Sequence, residues 1–388
     1  MDTNNDGTID ETYYTATATD TISNIGALNV SSAIYMSYMF QYTGYTLMDT
    51  LDLGDNFDTS NVTNMAGMFN RCGYMAMDTF DLGSKFDTGN VTLMDKMFLH
   101  CGFGAMPSLN LGDKFKTSKV TNMSYMFSYT GNKEMTSISF GDDFNTSLVT
   151  DMSYMFSMCG YQKLQVLDLR PSASATTAQK AAMFNTSAVT NMKYMFNRCG
   201  YGTGSGATAT GLTNLYLGEN FNTASVTDMS YMFSNTGLTK LASLDLGGKF
   251  DTSSVENMEA MFFQLGYTQL ISLNLGEKFN TTNVENMDKM FYGTGYTKLE
   301  SLDLGDLFYT TNVKTTKEMF RSCGKTKMQV LDLGPAFTRI PDKILDAGGN
   351  PTAESANTNM FFDCGTSALV VYAPESIYSD RTGFKLNN

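Results

Sequence analysis

The chain has 388 residues, with 26 Lys and Arg against 39 Asp and Glu, for a net charge of −13. That acidity argues against nucleic acid and anionic membrane as partners, because contacts to phosphate need a basic surface. A single histidine, His100, excludes a multi-histidine metal site. The 29 Met and 27 Phe demand an organised cause, since Met is ordinarily a minor gap-filler. No apolar run approaches the roughly 20 residues of a membrane-spanning helix, so no direct span is expected.

Residues 1–27 form an acidic N-terminal segment. Within it Asp2, Asn4, Asp6 and Asp10 alternate as side-chain oxygen donors, Thr8 offers a backbone carbonyl, and Gly7 stands at the sixth position. This spacing matches the start of an EF-hand-type calcium loop. The twelfth position holds Tyr13 where a bidentate Glu is required, so the loop is incomplete. It is closer to the shorter aspartate-rich calcium loops of bacterial extracellular linkers. The competing reading is an acidic, unstructured terminus. The segment is too polar for a signal peptide, so a signal and an anchor are expected to lie outside this chain.

From residue 28 to 374 the chain is a repeat. A leading Phe recurs at 57, 86, 115, 144, 184, 221, 250, 279, 308 and 337, at steps of 29 residues except for steps of 40 and 37 after Phe144 and Phe184. About eleven units result, with the first and last degenerate. A unit of this length stacks on its neighbours as a solenoid. In the unit of Phe250, Phe250-Asp251-Thr252-Ser253-Ser254-Val255 is a turn into an extended stretch. Met258, Met261 and Phe262 then sit at i, i+3 and i+4, which predicts a short helical turn. Ser272-Leu273-Asn274-Leu275 alternates, which predicts a short parallel strand with Leu273 and Leu275 inward. The fold class expected is an α/β leucine-rich-repeat-like solenoid of 29-residue units, one strand and one helical turn in each. The excess Met and Phe are its core.

The string Leu-Asp-Leu, three residues, then Phe-Asp-Thr-Ser-x-Val-Thr-x-Met-x-x-Met-Phe-x-x-Cys resembles the BspA-like leucine-rich repeat surface proteins of bacteria. The likeness runs from about Leu28 to Pro374. It departs in a longer link after Met-Phe, as in Gly295-Tyr296-Thr297-Lys298. The resemblance implies a solenoid, export to the cell surface and adhesion to a surface protein or glycan of the host or of bacteria. It implies no catalytic activity.

Two units carry polar, flexible insertions, at 170–183 and 202–211, expected on opposite rims of neighbouring coils. They are either tolerated loops or walls flanking a binding spot. An irregular cap is expected over 337–374, closed by a strand at Leu369–Pro374, before a tail of 375–388.

The middle, outward position of the strands reads Asp52, Asp81, Asn110, Ser139, Asp168, Tyr216, Asp245, Asn274, Asp303 and Asp332. Stacked like charges destabilise a sheet. The column is therefore either a ligand face, with Asp52, Asp81, Asp168, Tyr216, Asp245, Asp303 and Asp332 as candidates, or a wet face whose Asp side chains cap the next turn. Thr59 and its equivalents, and the Asn or Asp before the first Met, read as groups that bond the backbone. His100 occupies a variable polar slot and reads as a surface residue. All six Cys follow a motif Phe by three residues and fall in neighbouring units, as Cys72 with Cys101, Cys159 with Cys199, and Cys323 with Cys364. Exchange with Thr in that slot favours buried free thiols over disulfides.

No nucleophile, acid–base or phosphate-loop constellation is visible, so no enzyme activity is expected. No cofactor is expected either, save calcium at the N-terminus. Two functions remain: a secreted or surface recognition module, and a passive spacer within a larger surface protein. Calorimetric titration of calcium should give heat with the native chain and none with Asp6→Ala; identical heats would remove the calcium site.

Overall fold

The alternation Leu-Asp-Leu places one side chain in and the next out, so each unit contributes one short strand. The computed structural model describes residues 25, 28–112, 114–341, 343–345 and 351–374. The calcium candidates Asp2, Asn4, Asp6, Thr8 and Asp10 and the tail lie outside the described residues. Ten three-residue strands follow in order. They are β1 (Thr50–Asp52), β2 (Thr79–Asp81), β3 (Ser108–Asn110), β4 (Ser137–Ser139) and β5 (Val166–Asp168). Then come β6 (Asn214–Tyr216), β7 (Ser243–Asp245), β8 (Ser272–Asn274), β9 (Ser301–Asp303) and β10 (Val330–Asp332).

β1 pairs in parallel with β2, β3 with β4, β5 with β6, β7 with β8 and β9 with β10, with equivalent residues opposite: Leu51 faces Phe80, Leu109 faces Ile138 and Leu244 faces Leu273. The inward register holds. Leu51, Leu53, Leu244, Leu246, Leu302 and Leu304 are buried together with Met65, Met68 and Phe69. The chain is thus a stack of repeated coils about 29 residues long.

The Met-x-x-Met-Phe segment is not the helical turn that its spacing predicts. Met68, Asn70 and Cys72 donate their N–H groups to the carbonyls of Met65, Gly67 and Phe69, three residues back, at 3.0–3.1 Å. These are successive β-turns. The intervening N–H groups leave the coil: Met65, Gly67, Phe69 and Arg71 donate to Leu93, Asp95, Met97 and Leu99 of the next coil at 2.7–3.1 Å. A helix would spend all of them on its own carbonyls. Gly67 and Arg71 also sit at φ 59° and 57°, a left-handed conformation that a helix excludes. Two consecutive turns bury i, i+3 and i+4 just as a helix does, and that is why the pattern misled. Among the described residues the one α-helix, α1 (Thr177–Ala182), belongs to the first insertion.

The turn arcs stack without a break. Single-residue parallel bridges run from Tyr35 through Asn64, Leu93, Asn122, Asp151, Asn191, Asp228, Asn257 and Asn286 to Thr315. Inside, the motif Phe rings form one column. Phe40, Phe69, Phe98, Phe127, Phe156, Phe196, Phe233, Phe262, Phe291, Phe320 and Phe361 follow one another at 5.3–5.7 Å between centroids. Each buried ring contributes about 1.5–3 kcal/mol.

At the end of the solenoid, β11 (Lys343–Leu345) and β12 (Pro351–Ser355) form an antiparallel pair. The expected closing strand is β13 (Val370–Tyr372), which pairs in parallel with β10. The insertions are ordered. Thr176 and Gln179 cap α1 reciprocally, and Gln179 Nε2 donates to Asp143 Oδ1 at 2.8 Å. In the second loop Thr210 N donates to Thr203 O at 2.9 Å. The first loop leaves the end of β5 and the second precedes the start of β6. Since β5 pairs with β6, the loops occupy opposite rims.

The Thr column is buried and joins coils. Thr252 Oγ1 donates to Asn280 O and accepts from Asn280 N, both at 2.8 Å. Thr252→Val should lower stability by about 1–3 kcal/mol, read as the urea midpoint, because it orphans both backbone groups. Thr252→Ser should retain most of it.

Candidate partner-binding face

The strand position after each inward Leu puts a short polar side chain on one outer face. Asp52 stands opposite Asp81 and Asp303 opposite Asp332, while Asp245 faces Asn274. Each carboxylate accepts a backbone N–H two residues on: Asp52 from Gly54 at 2.7 Å, Asp81 from Gly83 at 2.8 Å, Asp245 from Gly247 at 3.0 Å. Asp303 and Asp332 do the same with Gly305 and Gly334 at 2.8 and 3.0 Å. Uncharged Asn110 and Asn274 accept from Gly112 and Gly276 at 3.1 Å. The column therefore exists to cap the following turn, and hydrogen bonding offsets its repulsion. The Asn and Asp before the first Met act alike, as Asn64 Oδ1 accepts from Ala66 N at 2.9 Å.

The face is hollowed along its second half. One cavity of about 880 Å³ runs from Asp245 to Pro335, bordered by Glu277, Asp303, Asp306 and Asp332. A second, of about 520 Å³, adjoins it and shares Asp245, Gly247 and Gly248. The candidates Asp245, Asp303 and Asp332 come together there, and Tyr216 lines the second cavity. Asp52 and Asp81 lie on the far coils, outside both.

Asp168 is not free. Its two carboxylate oxygens take Arg170 Nε and Nη2 at 2.8 and 2.7 Å. Burial opposes its charge, but the Arg170 bonds prevail and hold its carboxyl below the usual range. The same guanidinium lies 3.8 Å above the Tyr216 ring centroid.

Aromatic ladders on the turn side escaped the sequence reading. Tyr125, Tyr154, Tyr194 and Tyr231 stack at 4.4–4.6 Å, and Tyr45, Tyr74 and Phe103 at 4.6–4.7 Å. Recurrence of aromatic residues at two motif positions was the available signal. Burial, with its Tyr125 and Tyr194 neighbours, pushes the Tyr154 phenol up to about 12. His100 is a correction: it is half-buried, stacked on Tyr129 at 4.3 Å. Burial first and Arg71 second push it down to about 4, so it is a neutral stacking ring.

All six thiols are free and buried. Burial pushes Cys323 up to about 12 and raises the others. Where Thr fills the slot, Thr130, Thr236 and Thr294 donate to the carbonyls of Phe98, Phe196 and Phe262 at 2.6–2.7 Å. A thiol fits that small buried space as a compact hydrophobe. Intact mass under denaturing, non-reducing conditions should show no loss of hydrogens, and alkylation should need unfolding; a deficit of two hydrogens per pair would overturn the assignment.

Among the described residues no group of three or more His, Cys, Asp or Glu could hold a metal ion. None of their helices is long and apolar enough to cross a membrane. A family model described as "Mycoplasma protein of unknown function, DUF285" matches residues 7–103, 103–237, 168–266 and 205–332. No curated protein and no solved structure matches.

Proposed function

Because the chain belongs to this Mycoplasma family of unknown function, matched from residue 7 to 332, we propose that it is a surface repeat protein that binds a partner through its strand face. The partner is a surface protein or glycan, and the role is adhesion, as in the BspA-like proteins that the repeat resembles. The observation that carries this reading is the pair of adjoining cavities on that face. A spacer needs only the packed column of coils and has no use for a hollowed flank.

The reading includes no catalysis. The one imidazole is stacked on Tyr129 with its proton affinity lowered, and the buried thiols are poor nucleophiles. Brief trypsin treatment of intact cells that make the protein should remove it, placing it outside. Purified, labelled chain should then bind intact cells saturably, with unlabelled chain competing. Surface location without saturable binding would leave the spacer role instead.

A further inference from the structure

We propose that the cavity where β6 meets β7 is a carbohydrate site, which seats a neutral sugar ring against Tyr216. This rests on the recognition reading above and narrows its partner to a glycan. The argument comes from where the repeat stops copying itself. The residue after the second inward Leu is Gly in the other coils, as at Gly54, Gly83, Gly247, Gly276 and Gly305, but Arg in the coil of β5. The outward strand position is Asp at 168 and 245 but Tyr at 216. The first strand position is Ser243, Ser272 and Ser301 in the next three coils, but Asn214 in β6. The corner residue is Glu219, Glu277 and Asp306, but Gly at 248. Arg170, Asn214, Tyr216 and Gly248 all line one cavity of about 520 Å³. Its size is that of a small-ligand pocket.

The chemistry of the four departures is coherent. Arg170 covers one face of Tyr216 and is locked there by its bidentate bond to Asp168. The guanidinium thus holds the ring in place, and Tyr216 lines the cavity together with Ser243 and Asp245 of β7. There the floor is bare. A Cβ added at Gly247 or at Gly248 would meet nothing within 4 Å. A sugar presents a flat C–H face and a rim of hydroxyls. The Tyr216 ring meets the first, and Asn214, Ser243 and Asp245 offer donors and acceptors to the second. The Arg170 charge is already spent on Asp168, and Glu219 and Asp245 outnumber Lys249, the other cation that lines the cavity, which favours a neutral sugar over a sialylated or sulfated one. Continuity with the larger cavity gives room for further units beyond Gly247.

The test is a glycan array probed with the intact chain, carrying neutral, sialylated and sulfated oligosaccharides. Tyr216→Asp and Gly248→Glu restore residues that neighbouring coils already carry, so the coils should stack normally, checked by an unchanged urea midpoint. Each should weaken binding to neutral glycans by about tenfold, while Tyr216→Phe and the remote Asp52→Asn keep it. If either restoring variant unfolds, the other decides. No binding to neutral glycans, stronger binding to anionic ones, or binding unmoved by both variants overturns the site. Saturable cell binding that Tyr216→Asp leaves intact points to a protein partner; it overturns the glycan site and leaves the recognition reading standing. Absence of any cell binding removes both.

Discussion

Half of the N–H groups in each turn arc point out of their own coil and bond the next one. That single choice organises the molecule. A coil whose Met65, Gly67, Phe69 and Arg71 need the carbonyls of Leu93, Asp95, Met97 and Leu99 cannot satisfy its backbone alone. Stability is then a property of neighbours, as in other one-dimensional repeats. The bonds also force equivalent residues into columns. Phe lies on Phe, Thr on Thr and Asp beside Asp, because the ladder fixes the register.

Columns of identical residues gain or lose according to chemistry. The Phe column gains, since each ring packs nearly parallel on the next with offset centroids. The Asp column would lose, and each carboxylate is therefore engaged by its own turn. Left-handed backbone positions also cost, by roughly 1–2 kcal/mol for a residue with a Cβ. Tyr125, Tyr154, Tyr194 and Tyr231 take φ 58° in succession. Their side chains stack in return, and their N–H groups cross to the next coil, as Tyr154 does to Lys193 O at 2.9 Å. The strain is the geometric condition for the forward bond.

The repeat, the strand register and the core were legible from the sequence because they depend on inside and outside alone. Leu51 and Leu53 alternate with Asp52, and no other face can take two leucines. The turn arc was not legible. Burial at Met65, Met68 and Phe69 is common to a helix and to paired turns, which differ in the backbone angles at Gly67 and Arg71 and in where the N–H groups go. Tyr, Lys, Ala and Glu stand at the left-handed position equivalent to Gly67 in other coils and hide that clue. His100 was misjudged for a related reason. Its slot varies among Arg71, Tyr129 and Arg198, which reads as polar surface, yet His100 stacks on Tyr129 and Arg71 lies over Tyr42. Of the candidate face, the Asp column was legible as a pattern, but its hollow was not, since cavities depend on how coils curve together.

The two insertions show why the strand side, and not the arc side, is where this chain can acquire a function. The spacing between units stretches to 40 and 37 residues there, yet the arc ladder does not falter: Asn122, Asp151, Asn191 and Asp228 remain consecutive in it. All the extra length is extruded after the end of β5 and before the start of β6. The arc tolerates no interruption, because a missing forward bond would orphan groups in two coils at once. A strand of three residues tolerates a great deal at its ends, since the closure entropy of a loop about ten residues longer grows only slowly. Arg170 is the first residue of one such extrusion, and Tyr216 closes the strand that follows the other. Variation was cheapest where the fold asks least, and that is where the departures from the repeat converge on one hollow.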